Sequence, residues 1–66
     1  MEDRIESNPN LFGGKPVIKG TRILVTTILS ALSNGDSFDT ILDDFPALDR
    51  ADIEAAIDYA SKMSNY

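Results

Sequence analysis

The stretch Val25 to Met63, VTTILSALSNGDSFDTILDDFPALDRADIEAAIDYASKM, decides the fold. Apolar side chains recur in it three times at the spacing i, i+3, i+4, i+7, and each set has its own punctuation. Val25, Ile28, Leu29 and Leu32 form the first stripe; Asn34-Gly35 supplies a left-handed stop, so the spacing predicts a helix of about ten residues. Phe38, Ile41, Leu42 and Phe45 form the second. Asp36 or Ser37 is its N-cap, and Pro46 ends it after about two turns, because the residue before a proline is pushed out of the helical region. The third stripe is Ile53, Ala56, Ile57, Ala60 and Met63, in a helix expected from about Arg50 to Met63. Asp49 opens it as N-cap with Asp52 three residues on, a variant of the capping box, and the acids of its first turn face the positive end of the helix dipole. Alanines at 51, 55, 56 and 60 allow a neighbouring helix to approach closely. The stripes share a spacing and not a sequence, which is the mark of three core-facing helices rather than of a repeat.

Working outward toward the N-terminus, the period changes. Ile5, Val17-Ile18 and Ile23-Leu24-Val25 are short, β-branched-rich pieces separated by Asn8-Pro9-Asn10, Gly13-Gly14 and Gly20. They read as two or three strands of two to four residues joined by turns. Strands so short are weakly stable alone, so the arm lies on the helices or pairs with another chain. The expected fold is mostly α, a single small domain over residues 1–66. A short N-terminal β arm over 4–24 precedes a three-helix, helix-turn-helix-like core over 25–64.

At 66 residues and 7.2 kDa the chain has room for one core only. Folding a compact monomer of this mass buries roughly 6,300 Å², about 0.6 of it apolar, which contributes on the order of 95 kcal/mol, against about 100 kcal/mol for ordering the residues. A chain so balanced normally relies on a disulfide, a metal or another polypeptide. There is no Cys and no His, which removes disulfides, thiolate chemistry, the usual structural zinc sites and the common general base near neutral pH. Association remains, and the arm, poor in apolar residues, is where the missing burial is expected, against a second copy or a partner. No apolar run exceeds three residues, so no signal peptide or membrane span is expected, and the chain is assigned to the cytoplasm.

The net charge of −5 is unevenly spread. Ser7 to Leu24 holds Lys15, Lys19 and Arg22 and no acid, +3; Val25 onward holds Arg50 and Lys62 against eight acids, −6; Met1 to Glu6 carries −2. A basic segment is thereby set apart from an acidic body. Gly13-Gly14-Lys15-Pro16 lacks the glycine spacing and the Ser/Thr of a phosphate-binding loop, but two glycines with Lys15, Lys19 and Arg22 close by also fit an anion nest, with Lys15 and Lys19 on one strand face. A glycine turn with solvated lysines accounts for the same residues. The second and third helices have the lengths of a helix-turn-helix, yet the exposed Asp49, Asp52, Glu54 and Asp58 of the third oppose phosphate, leaving Lys15, Lys19, Arg22 and Arg50 as the residues that would meet DNA. Asp36, Asp39, Asp43 and Asp44 lack a calcium-loop pattern and read as a solvated face. With no paired nucleophile and base in sight, no catalytic residue, cofactor or metal site is assigned.

The string Leu-Phe-Gly-Gly-Lys-Pro-Val-Ile-Lys-Gly-Thr-Arg-Ile, Leu11 to Ile23, resembles the GGKPxIxGTRI signature of the prokaryotic domain-of-unknown-function family 433. Ser37 to Pro46 is similar to that family's helix closed by Tyr/Phe-Pro, and Leu48 to Ile53 to the opening of its last helix, so the likeness runs from Arg4 to about Ala60. At Leu24 the chain departs from the family, where a Pro often follows the signature. The resemblance implies a small helix-turn-helix-like fold with an N-terminal β segment. It also implies an antitoxin that neutralises a PIN-like ribonuclease toxin. The thin balance of burial against ordering adds the expectation of a homodimer or larger assembly, and the helix-turn-helix order adds DNA binding, with regulation of its own operon, as an optional second activity. The alternative is a DNA-binding regulator without a toxin. The signature positions are Gly13, Gly14, Lys15, Pro16, Ile18, Gly20, Thr21, Arg22 and Ile23. Of these Gly13, Gly14, Lys15, Pro16, Gly20, Thr21 and Arg22, with Lys19, are the expected partner-binding residues.

Overall fold

The end of the first helix, both ends of the second and the start of the third are set by side-chain and backbone bonds within a few residues. The computed structural model describes residues 4–63 and contains three helices, α1 Val25–Ser33, α2 Phe38–Asp44 and α3 Arg50–Met63. The acidic Met1-Glu2-Asp3 run and the expected core limit at residue 64 lie outside the described residues. Leu24 precedes α1 with φ −71°, the value a proline ring would impose, so the departure from the family pattern leaves the lead-in to the helix as a proline would make it. At the other end of α1, Gly35 takes φ 94°, its N–H donates to Leu32 O at 3.0 Å, and the Asp36 N–H donates to Ala31 O at 3.0 Å. These two bonds satisfy carbonyls that would otherwise end the helix unpaired.

Ser37, rather than Asp36, caps α2: its Oγ accepts from the Thr40 N–H at 3.2 Å. Phe45 leaves the helical region with φ −127° before Pro46, and the turn that follows closes with Leu48 N–H on Phe45 O. The capping box of α3 is reciprocal, with Asp52 N–H donating to Asp49 Oδ1 and Asp49 N–H to Asp52 Oδ2, both at 3.0 Å.

Two strands, β1 Ile5–Glu6 and β2 Val17–Ile18, pair antiparallel in the register Ile5 to Ile18 and Glu6 to Val17. The third apolar piece, Ile23-Leu24-Val25, adds only a single bridge from Leu24 back to Val17 before Val25 opens α1. Because β2 holds only Val17 and Ile18, Lys15 and Lys19 flank it and do not share a strand face as the spacing implied.

The core is one cluster of Ile18, Val25, Ile28, Ile41, Leu48, Ile53 and Ala56, with Ile5, Leu29, Phe38, Phe45 and Tyr59 packed around it. Val17 and Ile18 are 2% and 1% exposed within the single chain, so the arm's deficit of burial expected from its composition is not found: it lies on the helices and contributes to their core. The stripe on α3 also needs correcting. Ile53 and Ala56 are buried, but so are Asp52 and Ala55, while Ile57 is 41% exposed and Met63 69% exposed. The helix is turned toward its Asp52, Ala55 and Tyr59 side.

Candidate partner-binding surface

The arm is built from three successive turns. Asn8 to Leu11 closes with Leu11 N–H on Asn8 O, and the Asn8 side chain accepts from Asn10 N–H, both at 2.9 Å. Leu11 to Gly14 closes with Gly14 N–H on Leu11 O at 2.9 Å, and its central residues Phe12 and Gly13 take φ 51° and 66°. Gly14 continues in the left-handed region at φ 84°. Ile18 to Thr21 closes with Thr21 N–H on Ile18 O, with Gly20 at φ 78°. Positive φ is required at the third residue of such a turn, and a Cβ on Gly20 would meet nothing within 4 Å, so the glycine is there for its backbone and not for space.

Thr21 stitches this last turn. Its Oγ1 donates to Ile18 O at 2.8 Å and accepts from Ile23 N–H at 3.1 Å. Ile18 N–H on Ile23 O and Val25 N–H on Pro16 O, both 3.0 Å, complete a hairpin whose tip carries Lys19, Gly20, Thr21 and Arg22.

Of the residues that the sequence nominates for contact, Gly13, Gly14, Pro16, Gly20 and Thr21 thus serve the backbone path. Lys15, Lys19 and Arg22 are the side chains left facing outward. All three are exposed, and none is ion-paired among the described residues. Lys15 lies at the far end of β2 from Lys19, about 13 Å away at the rise of an extended chain, and Arg22 follows Lys19 across the tight turn, so the cations line an edge rather than meet at a point. Arg50 stands apart from them. It is the first residue of α3, with its guanidinium carbon 4.6 Å from the centre of the Phe38 ring, a stacking that joins α2 to α3.

Sequence reasoning missed two features here. Arg4 reaches across the fold to the start of α3, its Nη1 2.9 Å from Asp52 Oδ1 and 3.3 Å from Asp49 Oδ1. The hydrogen bond to Asp52, then the charge of Asp49, raises the Arg4 pKa further above its ordinary value, and the pair accounts for a buried aspartate on the core side of α3. Nothing local marks a partner 48 positions away. Leu11 and Phe12 are the second feature, exposed at 45% and 43%. Their signal was an apolar pair confined between two turn-forming clusters.

Asp39, Asp43 and Asp44 lie exposed on α2, and no group of three acids among the described residues is placed to hold a metal ion. Nor is there a ligand-sized pocket or a helix long and apolar enough to cross a membrane among those residues.

A two-stranded arm packed on three helices, with α2, a turn and α3 in helix-turn-helix order, defines the class of this protein. Residues 5–60 match the family described as "Protein of unknown function (DUF433)", and the chain belongs to that family. It is 36% identical over 56 residues to "Uncharacterized protein y4eO" of Sinorhizobium fredii, covering 85% of this chain and 25% of that protein. The crystal structure of a DUF433 member from Anabaena variabilis is similar with a TM-score of 0.86 and 30% identity, covering 91% of this chain and 59% of that one. The chain therefore spans a quarter of the length of the curated relative it matches and less than two thirds of the solved one.

Proposed function

We propose that the chain is an antitoxin-like binding module that neutralises a PIN-like ribonuclease by protein–protein contact in the cytoplasm and has no catalytic activity of its own. The observation that carries this reading is the set of three exposed cations, Lys15, Lys19 and Arg22, without ion-pair partners among the described residues, on an arm fixed by turns and free of carboxylates from Ser7 to Leu24. A ribonuclease of that class works through an acidic, metal-binding site, to which a rigid basic edge is complementary. Arg22 at the hairpin tip enters that site as a charge-assisted plug, flanked by Lys19, with Lys15 further along the edge. The module acts as a homodimer or larger assembly, whose size light scattering measures.

Co-expression with the PIN-like ribonuclease of the same operon tests the plug. Wild-type chain is expected to relieve the growth arrest and Arg22→Glu to fail. Undiminished protection by Arg22→Glu would move the contact to the acidic face of α2, whose Asp39, Asp43 and Asp44 would then mimic RNA phosphates on the toxin's basic path.

A second reading, a DNA-binding regulator acting on its own operon or without a toxin, draws on the helix-turn-helix order of α2 and α3. Docking through α3 is opposed by its charge: the exposed acids Asp49 and Glu54 flank Arg50, whose guanidinium is already stacked on Phe38. DNA contact would come from Lys15, Lys19 and Arg22. A gel shift with the upstream promoter that weakens as salt rises would support it; no shift, with or without toxin, removes it.

A further inference from the structure

Phe12 is the one non-glycine residue with positive φ among the described residues, and it stands in the first central position of a turn that takes φ above zero at both centres. Such turns are the province of Gly, Asn and Asp; a bulky side chain there is strained, and strain of this kind persists where surrounding structure or function holds it. Core packing is not what holds it here. Phe12 is 43% exposed, and its neighbour in sequence, Leu11, 45% exposed, so an aliphatic and an aromatic residue of one loop both reach the surface. Lys15 closes the same loop, its N–H on Phe12 O at 3.2 Å, and no carboxylate occurs between Ser7 and Leu24.

We infer that Leu11 and Phe12 form an apolar anchor that inserts into a pocket on an acidic protein partner, with Lys15 meeting the acidic rim of that pocket. This rests on the reading of the arm as the surface that contacts the ribonuclease, and adds to its electrostatic complementarity a site of burial. Charge settles the kind of occupant. The arm carries +3 with no acid, so its partner surface is acidic, while the −6 of the remainder of the chain from Val25 onward repels a polyanion such as RNA. An aliphatic residue paired with an aromatic one fits a protein pocket better than a stack of bases, and buried aromatic anchors with a polar surround dominate protein interfaces.

The chain contains no Trp, so Phe12→Trp places a single fluorophore at the anchor. When the Phe12→Trp variant is titrated with the operon's PIN-like ribonuclease, its indole emission is expected to shift to the blue. Phe12→Ser is expected to weaken binding at least about tenfold, chiefly through faster dissociation. Phe12→Gly, which suits the backbone of the turn, is expected to weaken binding equally without lowering the thermal midpoint, whereas Ile57→Ser, an exposed apolar residue elsewhere, binds as wild type. A complex indifferent to the Ser and Gly substitutions of Phe12, with the indole emission of Phe12→Trp unmoved, overturns the anchor and leaves the antitoxin reading standing. A ribonuclease that does not bind even the wild-type chain overturns both. Two other results with the Phe12→Trp variant also overturn the anchor. One is an emission change with a single-stranded oligonucleotide and not with the ribonuclease, which would make the loop a stacking platform; the other is a blue shift on concentrating the chain alone, which would give the loop to a second copy.

Discussion

At the scale of single residues, Gly20-Thr21-Arg22 divides its labour between holding the fold and leaving a charge free. Thr21 Oγ1 is engaged on both sides, so Thr21→Val, which keeps the shape and removes both bonds, leaves the Ile23 N–H without its partner. The expected cost is about 1–3 kcal/mol, read as a lowered midpoint in thermal or urea unfolding. Arg22 is exposed and unpaired among the described residues, so Arg22→Glu is expected to shift stability by no more than about 0.5 kcal/mol while abolishing toxin neutralisation. Loss of stability in Arg22→Glu equal to that in Thr21→Val would mean that the plug experiment had read unfolding. The glycines were legible as turn residues from their spacing alone; that Thr21 stitches the turn through its hydroxyl was not, because a hydroxyl looks the same in sequence whichever way it is used.

At the scale of elements, the starts and stops of the helices were the most legible part of the fold, since each depends on residues within a few positions of one another. Asn34-Gly35, Ser37, Pro46 and the Asp49–Asp52 pair all act locally. The orientation of α3 was not legible in the same way. Reading apolar types alone puts Ile57 inward, but at about 100° per residue it lies well round the helix from the centre of the Asp52, Ile53, Ala55, Ala56 face. An aspartate cannot be placed on a core face until its partner is known, and Arg4 is remote in sequence. Ile53→Ala is therefore expected to cost about 2–4 kcal/mol and Ile57→Ser about 0.5 kcal/mol or less, compared by urea denaturation. Equal costs would restore the sequence-derived stripe.

At the scale of the whole molecule, burial and ordering nearly cancel for a chain of this length, and the fold meets that condition by sharing its few apolar residues. The molecule measures 31 × 30 × 19 Å, about two helix diameters thick, and exposes 4370 Å², close to the roughly 4,100 Å² expected of a compact monomer of its mass. Val17 and Ile18 are buried with the helices, so a second chain is not needed to cover them. The candidate partner surface was legible as a charge asymmetry but not as a shape: the turns that fix Lys15, Lys19 and Arg22 depend on backbone bonds between positions that sequence spacing does not join.

The reach of Arg4 to Asp49 and Asp52 has a bearing on the order in which the molecule comes apart. β1 is joined to the rest by a two-pair ladder, by Lys19 N–H on Arg4 O at 2.8 Å, by the partly buried Ile5 and by that ion pair, exposed at Asp49 and part-buried at Asp52, whereas the hairpin from Pro16 to Val25 is closed by its own bonds over the fully buried Ile18. Amide hydrogen exchange is expected to show two openings, with Lys19 losing protection early and Ile18 and Val25 only on global unfolding. Arg4→Ala is expected to quicken exchange at Lys19, Asp49 and Asp52 together and leave Ile18 slow; a single shared rate would mean that the domain opens as one piece. Release of the first strand would then loosen the first turn of the last helix while the loop that bears the basic edge kept its form.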